Sequence, residues 1–257
     1  SYTAVLFAVS GIATVLILPK EPSSAEQPNQ LFDRSQVLDQ LRPPAHAPEF
    51  SRVFAARTCM MAGVGLTGVF LWYLVRFWVY GKAVVLTSAP LTIPAGFLIA
   101  GMAVATLIGA ALASWAAGPI SERIEEKNIP VARVVAGACL LYAIGLGLAW
   151  GLGVWSTGTA RENGMLLFAL ISGFAFGIYD SLGLELVMDS LPDPRRAGHD
   201  LGIYALANSA GLALAAIIGA LLVNAFEHSF GYYLLFPSAI VMVLLAGIVT
   251  LTTKSAE

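Results

Sequence analysis

Two carboxylates stand inside a run of apolar residues. Asp180 and Glu185 fall within 164–190, where the local sequence reads Phe-Gly-Ile-Tyr-Asp-Ser-Leu-Gly-Leu-Glu. A charge near the middle of a membrane helix costs about 2.5–3.5 kcal/mol, so an acid placed there is a functional candidate by default. Such an acid can carry a coupling proton or accept a solute hydroxyl. A structural hydrogen bond to a neighbouring helix competes with both readings. Five residues on a helix correspond to about 500°, so the two acids project roughly 140° apart and cannot share a proton as a dyad. Asp180 lies about ten residues, or roughly 15 Å, from the C-terminal end of its run. Glu185 is shallower. It continues the stripe Gly173–Gly177–Ser181, with Asp189 beyond it at the interface. That stripe must face protein or a water-filled cavity.

Other polar groups in apolar runs are few. Arg76 lies near the outer end of its run, in a cluster with Trp72, Tyr73, Phe77 and Trp78. Aromatic faces stack on sugar C–H surfaces, and arginine holds hydroxyls or carboxylates. An aromatic belt with a snorkelling arginine would read the same way. Tyr179, Tyr142 and Trp150 could also line a cavity or fill a core. Asn208 is a neutral polar group that could bond across helices or line a path. His46, His199 and His228 sit in loops or at helix ends, and Cys59 and Cys139 in apolar runs. None has metal-ligand spacing, and no cofactor or hydrolase motif occurs.

The elements that position these groups are long and apolar. The 257-residue chain is 58 % hydrophobic and 12 % charged, with a mean hydropathy of +0.78. Soluble domains carry about twice that charge, which argues against a soluble enzyme. A net charge of −2 and the absence of a basic patch exclude a nucleic-acid partner. A helix needs about 20 apolar residues to cross hydrocarbon roughly 30 Å thick. Seven runs qualify or nearly so: 1–18, 54–80, 92–117, 131–155, 164–190, 201–226 and 230–252. The first reads as the end of a preceding transmembrane helix. None alternates as barrel strands do. The expected fold is therefore an all-α polytopic membrane protein of about seven transmembrane helices, with the lipid bilayer as its first partner.

Between the first two runs, 19–52 is a polar, proline-rich linker. Within it, Phe32–Leu41 reads equally as a short interfacial helix or a solvated loop. If that linker is cytoplasmic, eleven of the 14 basic residues share its side, and only Arg76, Lys82 and Arg161 oppose them. This bias predicts a cytoplasmic linker and C-terminus. Small residues recur four apart at Gly101–Ala105–Gly109–Ala113, Gly147–Gly151, Gly173–Gly177–Ser181 and Ala207–Gly211–Ala215–Gly219. Such seams let helix backbones approach closely, so 53–257 is expected to form one six-helix bundle.

Two loops carry a resemblance. Gly118-Pro-Ile-Ser-Glu122-Arg123, followed by Lys127, resembles the G-x-x-x-D-R-x-x-[RK] loop of the major facilitator superfamily, with Glu122 in place of the usual Asp. The segment from Leu191-Pro192 through Asp200-Leu-Gly202 to Ala207-Asn208 is similar to the sugar-transporting glycoside–pentoside–hexuronide and sucrose-transporter-like branches. Related sequences often place an Asp where this chain has Gly183; Asp180 is one turn away. The resemblance implies helix six plus the C-terminal six-helix bundle of a two-bundle carrier that alternates access around a midplane site. It implies transport rather than catalysis, with a small polar solute such as a sugar, protons, and the N-terminal bundle of the same protein as further partners. It implies the plasma (inner) membrane as location and no cofactor. It also assigns Gly118, Glu122, Arg123, Lys127, Asp200 and Gly202 to a cytoplasmic gating loop. An integral membrane enzyme, or a non-catalytic membrane subunit using Asp180 and Glu185, is the alternative.

Overall fold

The computed structural model describes residues 48–80, 93–155, 158–191, 197–225 and 228–253. All belong to one compact unit, Leu41–Glu257. The expected span 1–18 and residues 19–47 of the linker lie outside the described residues. No strand occurs among those described.

Among the described residues, six helices are long and apolar enough to cross a membrane. We label them α1 (Pro48–Gly68), α2 (Ile93–Lys127), α3 (Val131–Trp155), α4 (Thr159–Asp189), α5 (Ala197–Ala225) and α6 (His228–Leu251). Helices are the economical solution, because each closes its backbone hydrogen bonds within itself. α1 begins at Pro48, inside the segment read as linker. It is extended by one turn, Leu71–Tyr73, and by a π-helical segment, Leu74–Val79. That segment ends where the Tyr80 amide donates to the Val75 carbonyl (3.2 Å).

The helices run alternately up and down. Arg52, at the start of α1, donates to the Thr252 carbonyl just beyond α6 (3.1 Å). At the opposite end, Arg161 of α4 donates to the Trp78 carbonyl (3.0 Å). The main packings are α2 on α4, α3 on α4, α5 on α1, α6 on α1, and α3 on α6. Exchanging α1 with α4, α2 with α5 and α3 with α6 leaves this set unchanged. The exchanged helices are antiparallel, so the bundle is built from two three-helix repeats of inverted topology.

Two bare-backbone crossings fix the repeats. A Cβ on Gly109 of α2 would overlap the Leu170 carbonyl of α4, and one on Gly173 would overlap the Thr106 carbonyl. At the symmetry-related crossing, a Cβ on Gly211 of α5 would lie 2.6 Å from the Thr58 carbonyl of α1, and one on Gly65 2.7 Å from Ala215. The seams expected on these helices therefore meet each other or α1.

The expected α3 seam is different. A Cβ on Gly147 would meet nothing, and one on Gly151 only Trp155 of the same helix. The packed small face of α3 is Gly145–Ala149–Gly153, against Ile171 of α4 and Trp78. Two residues turn a helix by about 200°, so the used stripe lies on the opposite face. Both have the right spacing, and only the neighbours decide between them.

The loop expected over 118–130 is also corrected. α2 stays helical to Lys127 and leaves only Asn128–Pro130 as connection. Gly118 precedes Pro119, and without a Cβ it escapes the clash that usually bars a pre-proline residue from the helix. Ser121 to Lys127 are mostly good helix formers. The end is set by Asn128, which takes φ 50°. Its amide donates to the Glu125 carbonyl (3.2 Å), and the Ile129 amide to the Ile124 carbonyl (3.0 Å), closing a Schellman motif.

Candidate functional site

Three helices meet on one buried cation. Arg57 lies nine residues into α1, Asp180 nine residues before the end of α4, and Asn208 eleven residues into α5. At 1.5 Å per residue these depths are about 14–17 Å from the same end of the bundle. Arg57 Nη1 stands 2.7 Å from Asp180 Oδ1. Arg57 Nε donates to Asn208 Oδ1 at 2.8 Å. The guanidinium also faces the rings of Phe176 (5.7 Å), Tyr179 (5.6 Å) and Tyr204 (5.7 Å). Each such ring contact contributes about 0.5–1 kcal/mol, more where water is excluded. The arginine is thus held by a carboxylate, an amide and an aromatic cage.

Burial across the pair is unequal. The Arg57 side chain is 9 % exposed and the Asp180 side chain 55 % exposed. The carboxylate reaches beyond the packed core, while its partner stays inside.

Asp180 borders a pocket of about 390 Å³ between α1, α2, α3 and α4. Its polar lining includes Thr106, Ser114, Ser172 and Ser181. Each hydroxyl donates its proton to its own helix: Thr106 to the Met102 carbonyl (2.9 Å), Ser114 to Ala110 (3.0 Å), Ser172 to Ala169 (3.1 Å) and Ser181 to Gly177 (2.8 Å). A hydroxyl has one proton and two lone pairs, so these oxygens turn only acceptors to a solute.

The sequence singled out Asp180, Tyr179 and Asn208, and the structure brings all three to Arg57. It read Arg57 only as a topology charge. The signal was its place in the apolar run Val53-Phe-Ala-Ala-Arg-Thr-Cys-Met, but its partner is 123 residues away, and no spacing reveals that. Glu185 does not join the cluster and is exposed nearer the end of α4. Trp72, Tyr73 and Arg76 lie at the far end of α1 and its extension. Tyr73 stacks on Tyr232 there (6.4 Å between centroids). Gly118, Glu122, Arg123 and Lys127 are the last turns of α2, not a loop. Asp200 is buried in the first turn of α5, and Gly202 is exposed just after it. No group of three or more His, Cys, Asp or Glu suited to a metal occurs among the described residues.

Among families of known proteins, the model of the Major Facilitator Superfamily matches residues 95–257. No curated protein sequence and no solved structure matches the chain.

Proposed function

The chain belongs to the major facilitator superfamily, and on that premise we propose that it is the C-terminal bundle of a proton-coupled secondary carrier for a small polar solute. The proposed cycle is alternating access, with this bundle rocking against an N-terminal bundle of the same protein. A sugar is the solute class that the Leu191–Asn208 segment favours.

One observation carries the coupling: Asp180 is accessible, yet its charge holds the buried arginine that ties α1, α4 and α5 together. A proton on Asp180 removes the charge that Arg57 pairs with. Protonation is then linked to whether α4 is tied to α1, the kind of two-state contact that a switching bundle requires. The hydroxyl-lined pocket beside Asp180 supports a solute site next to that switch. The basic ends Arg52, Arg123, Lys127 and Arg133 orient this side of an inner membrane toward the cytoplasm. The last turns of α2 (Gly118, Glu122, Arg123, Lys127) and the start of α5 (Asp200, Gly202) would form the latch on that side. Enzymatic chemistry is not favoured for a member of a transporter family.

Asp180→Asn in the native gene product, reconstituted in proteoliposomes, tests this reading with a panel of sugars and an imposed pH gradient. Loss of gradient-driven uptake, with wild-type helicity and yield, is the expected result. Normal gradient-driven accumulation by the variant would remove Asp180 as the proton site.

A further inference from the structure

Directly beyond the hydroxyl-lined pocket lies a second one, of about 270 Å³. The two share Val64, Thr106, Tyr142 and Ser172 as a common wall. The second is lined mainly by apolar side chains, among them Leu71, Ile99, Met102, Met165, Phe168 and Phe236. It extends the groove toward the far end of the bundle, along α1 and α2. The groove is therefore polar at Asp180 and apolar beyond Tyr142.

The polar half has a definite chemistry. The four serine and threonine hydroxyls of the pocket, as distinct from the Tyr142 phenol on the shared wall, have given their protons to backbone carbonyls and offer lone pairs only. Asp180 is an acceptor too. Its negative charge is matched by Arg57 at 2.7 Å, so this half attracts no net charge. A head group that fits must bring hydrogen-bond donors and be neutral. The apolar half rewards a hydrocarbon or aromatic body attached to that head.

We propose that the solute is a neutral amphiphile: a hydroxyl-rich head seated against Asp180 and the pocket hydroxyls, carrying an apolar body that fills the second pocket. This rests on the transport reading and narrows its solute class. A bare sugar would use only half of the groove. A free amine or an acid would meet a site whose charge is already balanced.

Matched probes decide it. The native gene product in lipid nanodiscs is titrated with methyl β-glucoside, hexyl β-glucoside, hexylammonium and hexyl sulfate, each below its micelle concentration. Hexyl β-glucoside is expected to bind saturably and at least tenfold more tightly than each of the other three. A buried methylene contributes about 0.8 kcal/mol, or roughly fourfold in affinity, so tenfold asks for only part of the chain to enter. Gly68→Leu and Ala103→Phe are each expected to abolish the advantage of hexyl over methyl. Both positions line the apolar half; a Cβ on Gly68 meets nothing within 4 Å, and Ala103 is exposed. Both variants should therefore fold. Equal affinity for hexyl and methyl glucosides, tighter binding of hexylammonium or hexyl sulfate, or no saturable binding of hexyl β-glucoside would each overturn the proposal. Transport failure reads differently: saturable, tail-dependent binding with no flux would retire the carrier reading and leave the groove's specificity standing.

Discussion

Removing Asp180 alone should damage the bundle more than its share of a double substitution. Two unit charges at 2.7 Å attract by about 6 kcal/mol at an effective dielectric of 20. Solvent reaches the Asp180 side chain, which is 55 % exposed, and reduces the net coupling to about 1–3 kcal/mol. Asp180→Asn leaves the guanidinium charge buried with one amide and three rings, at a cost of about 2 kcal/mol. Arg57→Gln leaves a carboxylate that water can solvate but loses the ring contacts, at a cost of about 1–2 kcal/mol. In the double variant no charge is stranded, so its loss should fall about 1–3 kcal/mol short of the sum. The assay is reversible unfolding of the native gene product in bicelles, with all four members of the cycle measured in one lipid and one buffer. Additivity within about 0.5 kcal/mol would refute the reasoning. The observed contact would then carry no energy, and Asp180 could not act as a switch on Arg57.

Gly173→Ala should destabilise the α2–α4 crossing by about 1–3 kcal/mol, because its Cβ overlaps the Thr106 carbonyl, which cannot rotate away. Gly147→Ala, whose Cβ meets nothing, should be neutral or stabilising by up to about 1 kcal/mol; equal losses for the two would mean the crossing is not close-packed. At the opposite end of the bundle, burial, and then the Glu162 carboxylate that accepts its proton, push the Tyr80 hydroxyl up to about 12. The folded chain keeps a proton that an unfolded tyrosine releases near pH ~10, so this contribution to stability is intact below pH ~10 and is lost as pH rises toward 12. In phenolate absorbance, Tyr80→Phe should remove one late-ionising step and leave the early-ionising amplitude unchanged; loss of a step near pH ~10 instead would contradict the contact.

The sequence announced the helices plainly, because a lipid environment leaves few ways to satisfy a backbone. It also announced Asp180, since an acid in an apolar run is conspicuous. Arg57 was hidden. A basic residue near the start of a run looks the same whether it snorkels to the surface or turns inward to a carboxylate on a helix distant in sequence. Gly145 and Gly147 pose the same problem in miniature: both stripes suit packing, and only the partner helix selects one. The end of α2 was misread for a local reason. Gly-Pro ordinarily signals a turn, yet here glycine before proline is what lets the helix continue. The aromatic cluster at Trp72 to Trp78 gave no hint of π-helical backbone, nor of Trp78 seated against Gly153 and Phe236.

The hydroxyls that donate to their own helices bear on what happens when the groove is empty. In a carrier whose cycle includes an unloaded return, water must leave a closing cleft. Polar groups that relied on that water would be stranded by drying. Thr106, Ser114, Ser172 and Ser181 keep their internal bonds whether the cleft is wet or dry. Asp180 keeps its guanidinium partner as well. On the proposed cycle, drying the cleft would thus orphan none of these four donors, which would lower the barrier to an unloaded return without making the loaded site less polar.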